Sequence, residues 1–206
     1  VRQRDSAPGI DRVSTGQYEK GLDRNLRRLA RRLADGSYRP SLAMRFWPPD
    51  EPERPISIPT VEDRLAQRAV ARVLSPLLDA TFSPAAWAYR RGRSVQGALA
   101  DAERHMANGL RFFLRTDIEK FFDRIPQDGL LQCLAADVTD DRVLRLIRHM
   151  VRARVLEGAA CHLQQQGVPQ GSSLSPLLSN AYLRPFDQAV LTAGYPLIRY
   201  ADDMLV

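Results

Sequence analysis

Two adjacent acids, Asp202 and Asp203, lie between apolar runs and constrain the fold more than any other feature of the sequence. Apolar residues precede Tyr200-Ala201 and occupy positions 204–206, a pattern typical of a β-hairpin with charge at its turn. Neighbouring like charges repel each other unless a cationic group compensates them. An isolated acid pair is usually a solvated turn, because acids favour turns. A functional site would require a third carboxylate from another part of the chain.

The composition indicates a globular protein with a basic surface. The 206 residues are 44% hydrophobic and 26% charged, enough for one substantial core or two small ones. The net charge of +6 comes from arginines far more than lysines, and guanidinium groups match phosphate geometry, which favours nucleic acid as a partner. No apolar run is long enough to span a membrane, and we expect a cytoplasmic protein without a membrane partner. Two cysteines, Cys133 and Cys161, give no disulfide framework.

The first helix predicted by the sequence has a strongly basic face. Ser14 or Thr15 is a suitable N-cap, and apolar residues then recur at spacings of three and four up to Leu33. Arginines between positions 24 and 32 occupy the other faces. These arginines form either a solvated surface or a contact surface for phosphate groups.

A proline-rich segment at positions 48–59 excludes helix, because proline fixes φ and lacks an N–H donor. It predicts two edge strands, Met44–Trp47 and Arg54–Pro59, on either side of a loop. A mostly buried helix is expected from Val61. The loop at 83–94 then mixes aromatic residues with arginines, a composition that can stack on and pair with a polynucleotide.

The segment 110–118 alternates apolar and polar residues and predicts a buried strand that ends in Asp117. Two aromatic residues follow in a tight turn. A carboxylate at the end of a buried strand needs compensation, and a bound metal ion is the natural source. Asp117 is therefore the third carboxylate that the acid pair requires.

The rest of the chain predicts helices, a small hairpin and a loop rich in small residues. Short and long helices are expected at 127–136 and from Thr139, and a hairpin at 155–164. Cys161 and His162 in that hairpin lack further metal ligands at suitable spacing. A loop rich in Gly, Ser and Pro at 166–176 opens into a helix and allows close approach of a nucleotide or another chain.

Carboxylates from adjacent strands suit phosphoryl transfer with two divalent cations. One cation activates the attacking hydroxyl and the other stabilises the leaving pyrophosphate. Mg²⁺ prefers oxygen ligands, and Mn²⁺ can substitute for it. Asp117 would converge with Asp202 and Asp203 if their strands are neighbours.

These segments together resemble the reverse transcriptases, most closely the bacterial group encoded by group II introns, with their CRISPR-associated and retron relatives. The resemblance covers the chain from about Ala7 onward, in the order that the family shows. The matching motifs are Pro8-Gly9-Ile10-Asp11, Arg54-Pro55-Ile56-Ser57-Ile58-Pro59, Tyr89-Arg90-Arg91-Gly92-Arg93-Ser94, Asp117-Ile118-Glu119-Lys120-Phe121-Phe122-Asp123, Gln166-Gly167-Val168-Pro169-Gln170-Gly171 and Tyr200-Ala201-Asp202-Asp203.

The resemblance implies roles for the acids and the turn after Asp117. Asp117 and Asp202 would be the principal catalytic metal ligands, with the Ile118 carbonyl as a further ligand and Asp203 as a nearby or alternate one. Phe122 matches the aromatic residue beneath the incoming sugar, where a bulky ring excludes a 2′-hydroxyl. Core packing is the alternative role for Phe122.

The resemblance also implies contacts with nucleotide and nucleic acid. The residues expected to bind the incoming deoxynucleotide are Arg54, Gln170 and Gly171, and those expected to approach template or primer are Arg90, Arg93 and Tyr200. The family commonly has a lysine where this chain has Pro48, and Arg45 could substitute for it. Arg91 stands where intron-encoded relatives usually have proline.

The implied fold is α+β: the fingers and an incomplete palm of a right-hand polymerase, with a mainly antiparallel sheet backed by helices. We expect fingers over 1–82, fingers and palm over 83–206, and a returning strand that is incomplete at Val206, with the thumb in absent C-terminal, fused or associated domains. The implied function is RNA-directed DNA synthesis from deoxynucleotides, an RNA template and a DNA or RNA primer in the bacterial cytoplasm. The alternatives are an RNA-binding maturase or scaffold and a basic helical domain without catalysis.

Overall fold

The computed structural model describes residues 7–51 and 55–206, which form an α+β fold. Eight helices and seven strands lie within these ranges. The helices are α1 (Thr15–Glu19), α2 (Leu22–Ala34), α3 (Val61–Asp79), α4 (Val95–Ala107), α5 (Phe121–Arg124), α6 (Gln127–Ala135), α7 (Asp141–Val151) and α8 (Ser175–Thr192). The strands are β1 (Ala43–Phe46), β2 (Ile56–Ile58), β3 (Arg115–Thr116), β4 (Arg154–Glu157), β5 (Ala160–Leu163), β6 (Ile198–Tyr200) and β7 (Asp203–Leu205).

Side-chain caps set the start of several helices. Ser14 and Gln17 form a reciprocal capping box at α1, which confirms Ser14 as an N-cap. The single helix predicted after it is wrong, because the chain leaves helical geometry at Gly21 and begins again as α2. Thr60 caps α3 and Ser94 caps α4 by accepting a backbone N–H three residues later.

The strands form two sheets that are mostly antiparallel. The four-stranded sheet has the order β2-β1-β4-β5, in which only the β1–β4 pairing is parallel. The prediction of two edge strands is therefore wrong for the first of them, since β1 lies between two neighbours. The three-stranded sheet has the order β3-β7-β6, with both pairings antiparallel.

The main core lies among the helices. It includes residues with essentially no exposed surface on α3, α6, α7 and α8, such as Leu78, Leu134, Ile147 and Leu178. At its margin the Tyr38 hydroxyl donates to the Asp63 carboxylate at 2.6 Å. Burial and the adjacent carboxylate raise the pKa of Tyr38 far above its usual value, so the phenol remains protonated. This hydrogen bond joins the segment after α2 to the first turn of α3.

The predicted strand at 110–118 is much shorter than its alternating pattern suggests. Only β3 is extended and paired, and Leu114 exchanges backbone hydrogen bonds with Val206 just before it. The prediction that this strand is buried is wrong, because Phe112 is 94% exposed and both β3 residues are exposed. Alternation of apolar and polar residues shows that the two faces of a strand differ. It does not show that another part of the protein covers the apolar face.

The returning strand after the acid pair is formed. Residues of β7 pair with both β3 and β6, and the expectation that this strand is incomplete at Val206 stays a prediction. A small apolar cluster of Ala85, Leu197 and Met204 lies beneath this sheet. The position of the acid turn is consequently fixed by pairing on both sides of β7.

Candidate active site

A cleft of about 1050 Å³ contains residues from several of the predicted motifs. Its lining comes from α3, the turn after β3, the loop before α8 and the turn between β6 and β7. The predicted site residues in this lining are Asp117, Ile118, Phe122, Gln170, Gly171 and Asp202. Segments far apart in the sequence therefore meet at one concave surface.

Strand pairing brings the carboxylates of Asp117 and Asp202 to the same cleft. Asp117 directly follows β3, and Asp202 lies in the two-residue turn between β6 and β7. Because β3 pairs with β7, the end of one strand lies beside the turn that begins the other. Asp203 is not part of the cleft lining, and its carboxylate contacts the Arg115 guanidinium at 3.5 Å on the exposed surface.

The carboxylates of Asp117 and Asp202 are thus available to a cation in this cleft, whose lining also contains Asp123. Within residues 7–51 and 55–206, no group of three His, Cys, Asp or Glu side chains is arranged to hold a metal ion. Mg²⁺ commonly uses one or two protein carboxylates and completes its shell with water and phosphate oxygens. The residues present fit that mode of binding, whereas a cage made entirely of protein ligands is not formed by the described residues.

A buried arginine holds the turn that carries Asp202. Arg199 is 1% exposed, and its Nε and Nη2 donate to the two oxygens of Asp187 at 2.6 and 2.7 Å. Its Nη1 donates to the Asn180 side-chain oxygen at 3.0 Å and to the Ala201 carbonyl at 2.9 Å. No role was predicted for Arg199, Asp187 or Asn180, although an arginine in an apolar run beside two acids is a signal that could have identified Arg199.

The aromatic turn after Asp117 contributes both core and cleft surface. Lys120 adopts a left-handed φ of 51°, and α5 starts immediately after it. Phe121 is buried, and its ring meets Phe122 edge-on at 5.6 Å. Phe122 is half-buried, packs against the main core and lines the cleft. Both roles considered for Phe122 are therefore compatible with its position.

Backbone hydrogen bonds fasten the glycine-containing loop to this aromatic turn. The amide of Val168 donates to the Phe122 carbonyl at 2.7 Å. Gly167 has a φ of 78°, and a Cβ there would lie 2.6 Å from the Asp123 carbonyl oxygen, so only glycine fits. The Gln170 side chain donates to the Asp123 carboxylate at 2.9 Å, which orients its amide beside the cleft.

The predicted nucleic-acid arginines have different surroundings. Arg90 is largely buried, pairs with Asp79 and donates to the Ser83 and Ala86 carbonyls, so its guanidinium holds the loop rather than facing solvent. Arg93 lies over the Trp87 ring at 4.6 Å. Burial, followed by the charge of Arg90, lowers the pKa of Arg93.

The remaining predicted contacts lie away from the main cleft or outside the described residues. Arg45 pairs with Glu157 at 3.6 Å and lines a second cleft of about 690 Å³, which shares Lys120 and Asp123 with the first. Tyr200 is 38% exposed and is not in the main cleft lining. Arg54 lies outside the described residues.

Two arginines that the sequence did not single out line the main cleft. Arg64 and Arg68 are one helical turn apart on α3, and Lys120 lies in the same lining. Their signal in the sequence was a spacing of four within a helix predicted to be mostly buried. The cleft therefore combines cationic residues with the carboxylates of Asp117 and Asp202.

Comparison with protein families identifies the family to which the chain belongs. The family described as "Reverse transcriptase (RNA-dependent DNA polymerase)" matches residues 49–206, which is most of the chain. The chain belongs to the reverse transcriptase family. The resemblance drawn from the motifs is thereby confirmed.

Curated relatives of this reverse transcriptase include intron-encoded proteins. Protein YkfC of Escherichia coli is 29% identical over 187 residues, covering 88% of this chain and 49% of that protein. The group II intron-encoded protein LtrA of Lactococcus lactis is 32% identical over 172 residues, covering 82% of this chain and 28% of that protein. The chain therefore spans about half or less of the length of these relatives.

Solved structures show the same architecture. A partial Cas6-RT-Cas1–Cas2 complex aligns with a TM-score of 0.57 at 30% identity, covering 89% of this chain and 32% of that one. Telomerase from Candida albicans aligns with a TM-score of 0.59 at 13% identity, covering 98% of this chain and 44% of that one, which is a likeness of fold. The α+β polymerase fold predicted from the sequence is confirmed. None of the helices in the described residues has the length and apolar character needed to cross a membrane.

Proposed function

We propose that this reverse transcriptase adds deoxynucleotides to a primer 3′-hydroxyl on an RNA template. The observation that carries the proposal is the single cleft shared by Asp117, Asp202, Phe122 and the Gln170-Gly171 loop. Residues up to about position 82 would act as fingers, and residues 83–206 would continue into the palm. The thumb would belong to other parts of the protein or to an associated domain, in keeping with the greater length of the relatives.

Asp117 and Asp202 would hold the divalent cations, with the Ile118 carbonyl as a further oxygen ligand. Mg²⁺ or Mn²⁺ bound there would lower the pKa of the attacking hydroxyl and neutralise charge on the leaving pyrophosphate. Asp203 contacts Arg115 and would serve as an alternate ligand only after leaving that exposed pair.

Other residues of the cleft would select and orient the nucleotide. The Phe122 ring would lie against the sugar, since it presents a half-buried aromatic surface beside Asp117. The amide of Gln170 is oriented by Asp123, and Gly171 has a φ of 95° with space for only a small residue. Arg64 and Arg68 would face phosphate groups, because they supply positive charge within the same cleft.

The decisive test is incorporation of deoxynucleotides on a primed RNA template by the protein at its natural length. Asp202→Asn removes a ligand charge, and we expect a loss of more than about 100-fold, because outer-shell changes alone cost about 10- to 100-fold. Asp128→Asn is the matched control, since Asp128 is an exposed acid paired with Arg152 away from the cleft. We expect both variants to bind RNA as the unmodified protein does. Equal incorporation by the two variants would contradict the proposal.

A second experiment tests the position of the sugar. Phe122→Ala enlarges the cleft beside Asp117, and we expect more ribonucleotide incorporation relative to deoxynucleotide incorporation. Phe186→Ala removes a 41%-exposed ring from α8 and is the control for general loss of aromatic surface. An unchanged sugar preference in the Phe122 variant would exclude this residue from selection.

An RNA-binding maturase or scaffold is the second candidate, supported by similarity to intron-encoded proteins. These relatives also include Nuclear intron maturase 1 of Arabidopsis thaliana, at 27% identity over 94 residues. The basic arginines of α2 would contact RNA phosphates in this role, and binding would weaken steeply with salt. RNA processing that survives Asp202→Asn, without primer extension by the unmodified protein, would favour this candidate.

A further inference from the structure

Arg199 is a charged residue where the fold would ordinarily place an apolar one. It lies in β6 between Ile198 and the exposed Tyr200, and its side chain points away from the cleft toward α8. Only 1% of its surface is exposed. A buried guanidinium is costly unless it is paired and hydrogen-bonded, so its retention in this position requires a specific benefit.

Stability alone does not explain the arrangement. Well-packed apolar residues of similar volume are often as stabilising as a buried ion pair. The feature that an apolar residue could not supply is the hydrogen bond from Nη1 to the Ala201 carbonyl. The planar fork of the arginine holds Asp187 through two parallel bonds and leaves Nη1 directed at the turn.

The Ala201 carbonyl belongs to the peptide group that joins Ala201 to Asp202. Ala201 has a left-handed φ of 61°, a conformation that is strained for a residue with a Cβ and persists only where the surroundings enforce it. Fixing the carbonyl fixes the plane of this peptide group. The direction in which the Asp202 side chain leaves the backbone is thereby fixed as well.

The same arginine also ties the turn to its surroundings through the backbone. The Arg199 amide donates to the Ala85 carbonyl, and the Arg199 carbonyl accepts from the Trp87 amide, both at 2.8 Å. Asn180, which accepts from Arg199, donates to the Ala88 carbonyl at 2.9 Å. Helix α8, the loop at 85–88 and the acid turn consequently form one hydrogen-bonded unit.

We propose that Arg199, held by Asp187 and Asn180, is a positioning residue that sets the Asp202 carboxylate for divalent cation binding. The proposal rests on the proposed polymerase function for its role in catalysis, but the cation affinity is a separate property of the protein. Arg199 touches neither nucleotide nor cation in this role. It acts through the Ala201 peptide group alone.

The test compares Arg199→Lys with Arg184→Lys in the protein at its natural length. Lysine keeps the positive charge, but its single ammonium group cannot form two parallel hydrogen bonds to the Asp187 carboxylate and also donate to the Ala201 carbonyl. Arg184 is the matched control because it lies on α8, the helix that carries Asn180 and Asp187, and forms a part-buried ion pair with Asp137, away from the cleft. The readouts are Mn²⁺ affinity by electron paramagnetic resonance, kcat and KM for deoxynucleotide incorporation, and thermal unfolding.

We expect Arg199→Lys to weaken Mn²⁺ binding and lower kcat by about 10- to 100-fold with little change in KM, as for other outer-shell positions. Arg184→Lys should lower the unfolding temperature without changing Mn²⁺ affinity. Equal Mn²⁺ affinity in the two variants, with primer extension intact, would overturn the positioning role and leave the proposed function standing.

Two further outcomes are informative. Asp202-dependent Mn²⁺ binding that weakens in Arg199→Lys, in a protein without primer extension, would support the positioning role and contradict the proposed function. If Arg199→Lys does not fold, Asn180→Ala decides, because it removes one acceptor of Nη1 and leaves the ion pair. A loss of Mn²⁺ affinity in Asn180→Ala that is smaller than the loss expected for Arg199→Lys supports the proposal. Unchanged Mn²⁺ affinity in Asn180→Ala overturns it.

Discussion

The carboxylates of Asp117 and Asp202 are supported in opposite ways. Asp202 lies in a turn that follows the buried residues Ile198 and Arg199 of β6, and the Ala201 carbonyl of this turn is held by Arg199. Asp117 follows β3, two exposed residues that pair only with β7 within the described three-stranded sheet. One acid is thus fixed by a buried polar network, and the other by strand pairing at an exposed edge.

This difference shows that the turn at Ala201 and Asp202 determines the position of both carboxylates. Strand β7 lies between β6 and β3, so the position of Asp117 depends on β7. The acid turn depends less on β3, because β6 is also hydrogen-bonded to the loop at 85–87 through the backbone of Arg199. A disturbance of the turn should therefore reach both acids, whereas a disturbance before β3 should reach mainly Asp117.

The largest expected effect comes from breaking the buried pair. Asp187→Ala leaves the Arg199 guanidinium buried without its counter-charge and should lower the free energy of unfolding by about 3–5 kcal/mol. Asp203→Ala removes the exposed pair with Arg115 and should cost less than about 1 kcal/mol. Urea unfolding of both variants measures the contrast, and similar losses would contradict the difference between the two supports.

An intermediate effect is expected from truncating the apolar residues that precede the two edge strands of the three-stranded sheet, β6 and β3. Leu197→Ala opens a void in the small cluster with Ala85 and Met204 and should cost about 2–3 kcal/mol. Leu114→Ala should cost less than about 0.5 kcal/mol, because this side chain is 64% exposed. Thermal unfolding distinguishes them. A large loss of stability in the Leu114 variant would show that another part of the protein covers the segment before β3.

The smallest effect concerns the strained residue of the acid turn. Ala201→Gly relieves the left-handed conformation but adds freedom to the unfolded chain, and we expect a net gain of about 0.5 kcal/mol. Ala193→Gly, at a right-handed helix end, should instead cost about 0.5 kcal/mol. Differential scanning calorimetry measures the change in unfolding free energy of each variant. Changes of opposite sign would confirm the strain at position 201, and equal losses of stability would contradict it.

Local patterns predicted most helices and the meeting of the two acids. Apolar periodicity marked α3, α6, α7 and α8, and the acid-ended segments at Asp117 and Asp202 indicated one site. The parallel pairing of β1 with β4 was beyond the sequence, because it joins residues more than one hundred positions apart. The burial of 110–118 was overestimated, since alternation does not reveal whether a partner covers the apolar face.

Arginine chemistry was the main source of error at the site. Arg90 lies in a loop with aromatic residues and was expected to approach nucleic acid, whereas no role was predicted for Arg199. The structure buries both and uses them to hold backbone carbonyls. Arg64 and Arg68 were overlooked for the opposite reason, because their helix was predicted to be mostly core. Local composition does not show toward which side a long polar side chain will turn.

Helix α8 imposes a strict spacing on this protein. Asn180 and Asp187 both reach Arg199 because seven residues complete nearly two helical turns and return to the same face. Inserting one residue between them would rotate Asp187 by about 100° away from Arg199 without breaking the helix. Length changes should therefore be tolerated beyond Asp187, toward Thr192, and rejected within this interval, even though both stretches belong to one continuous helix.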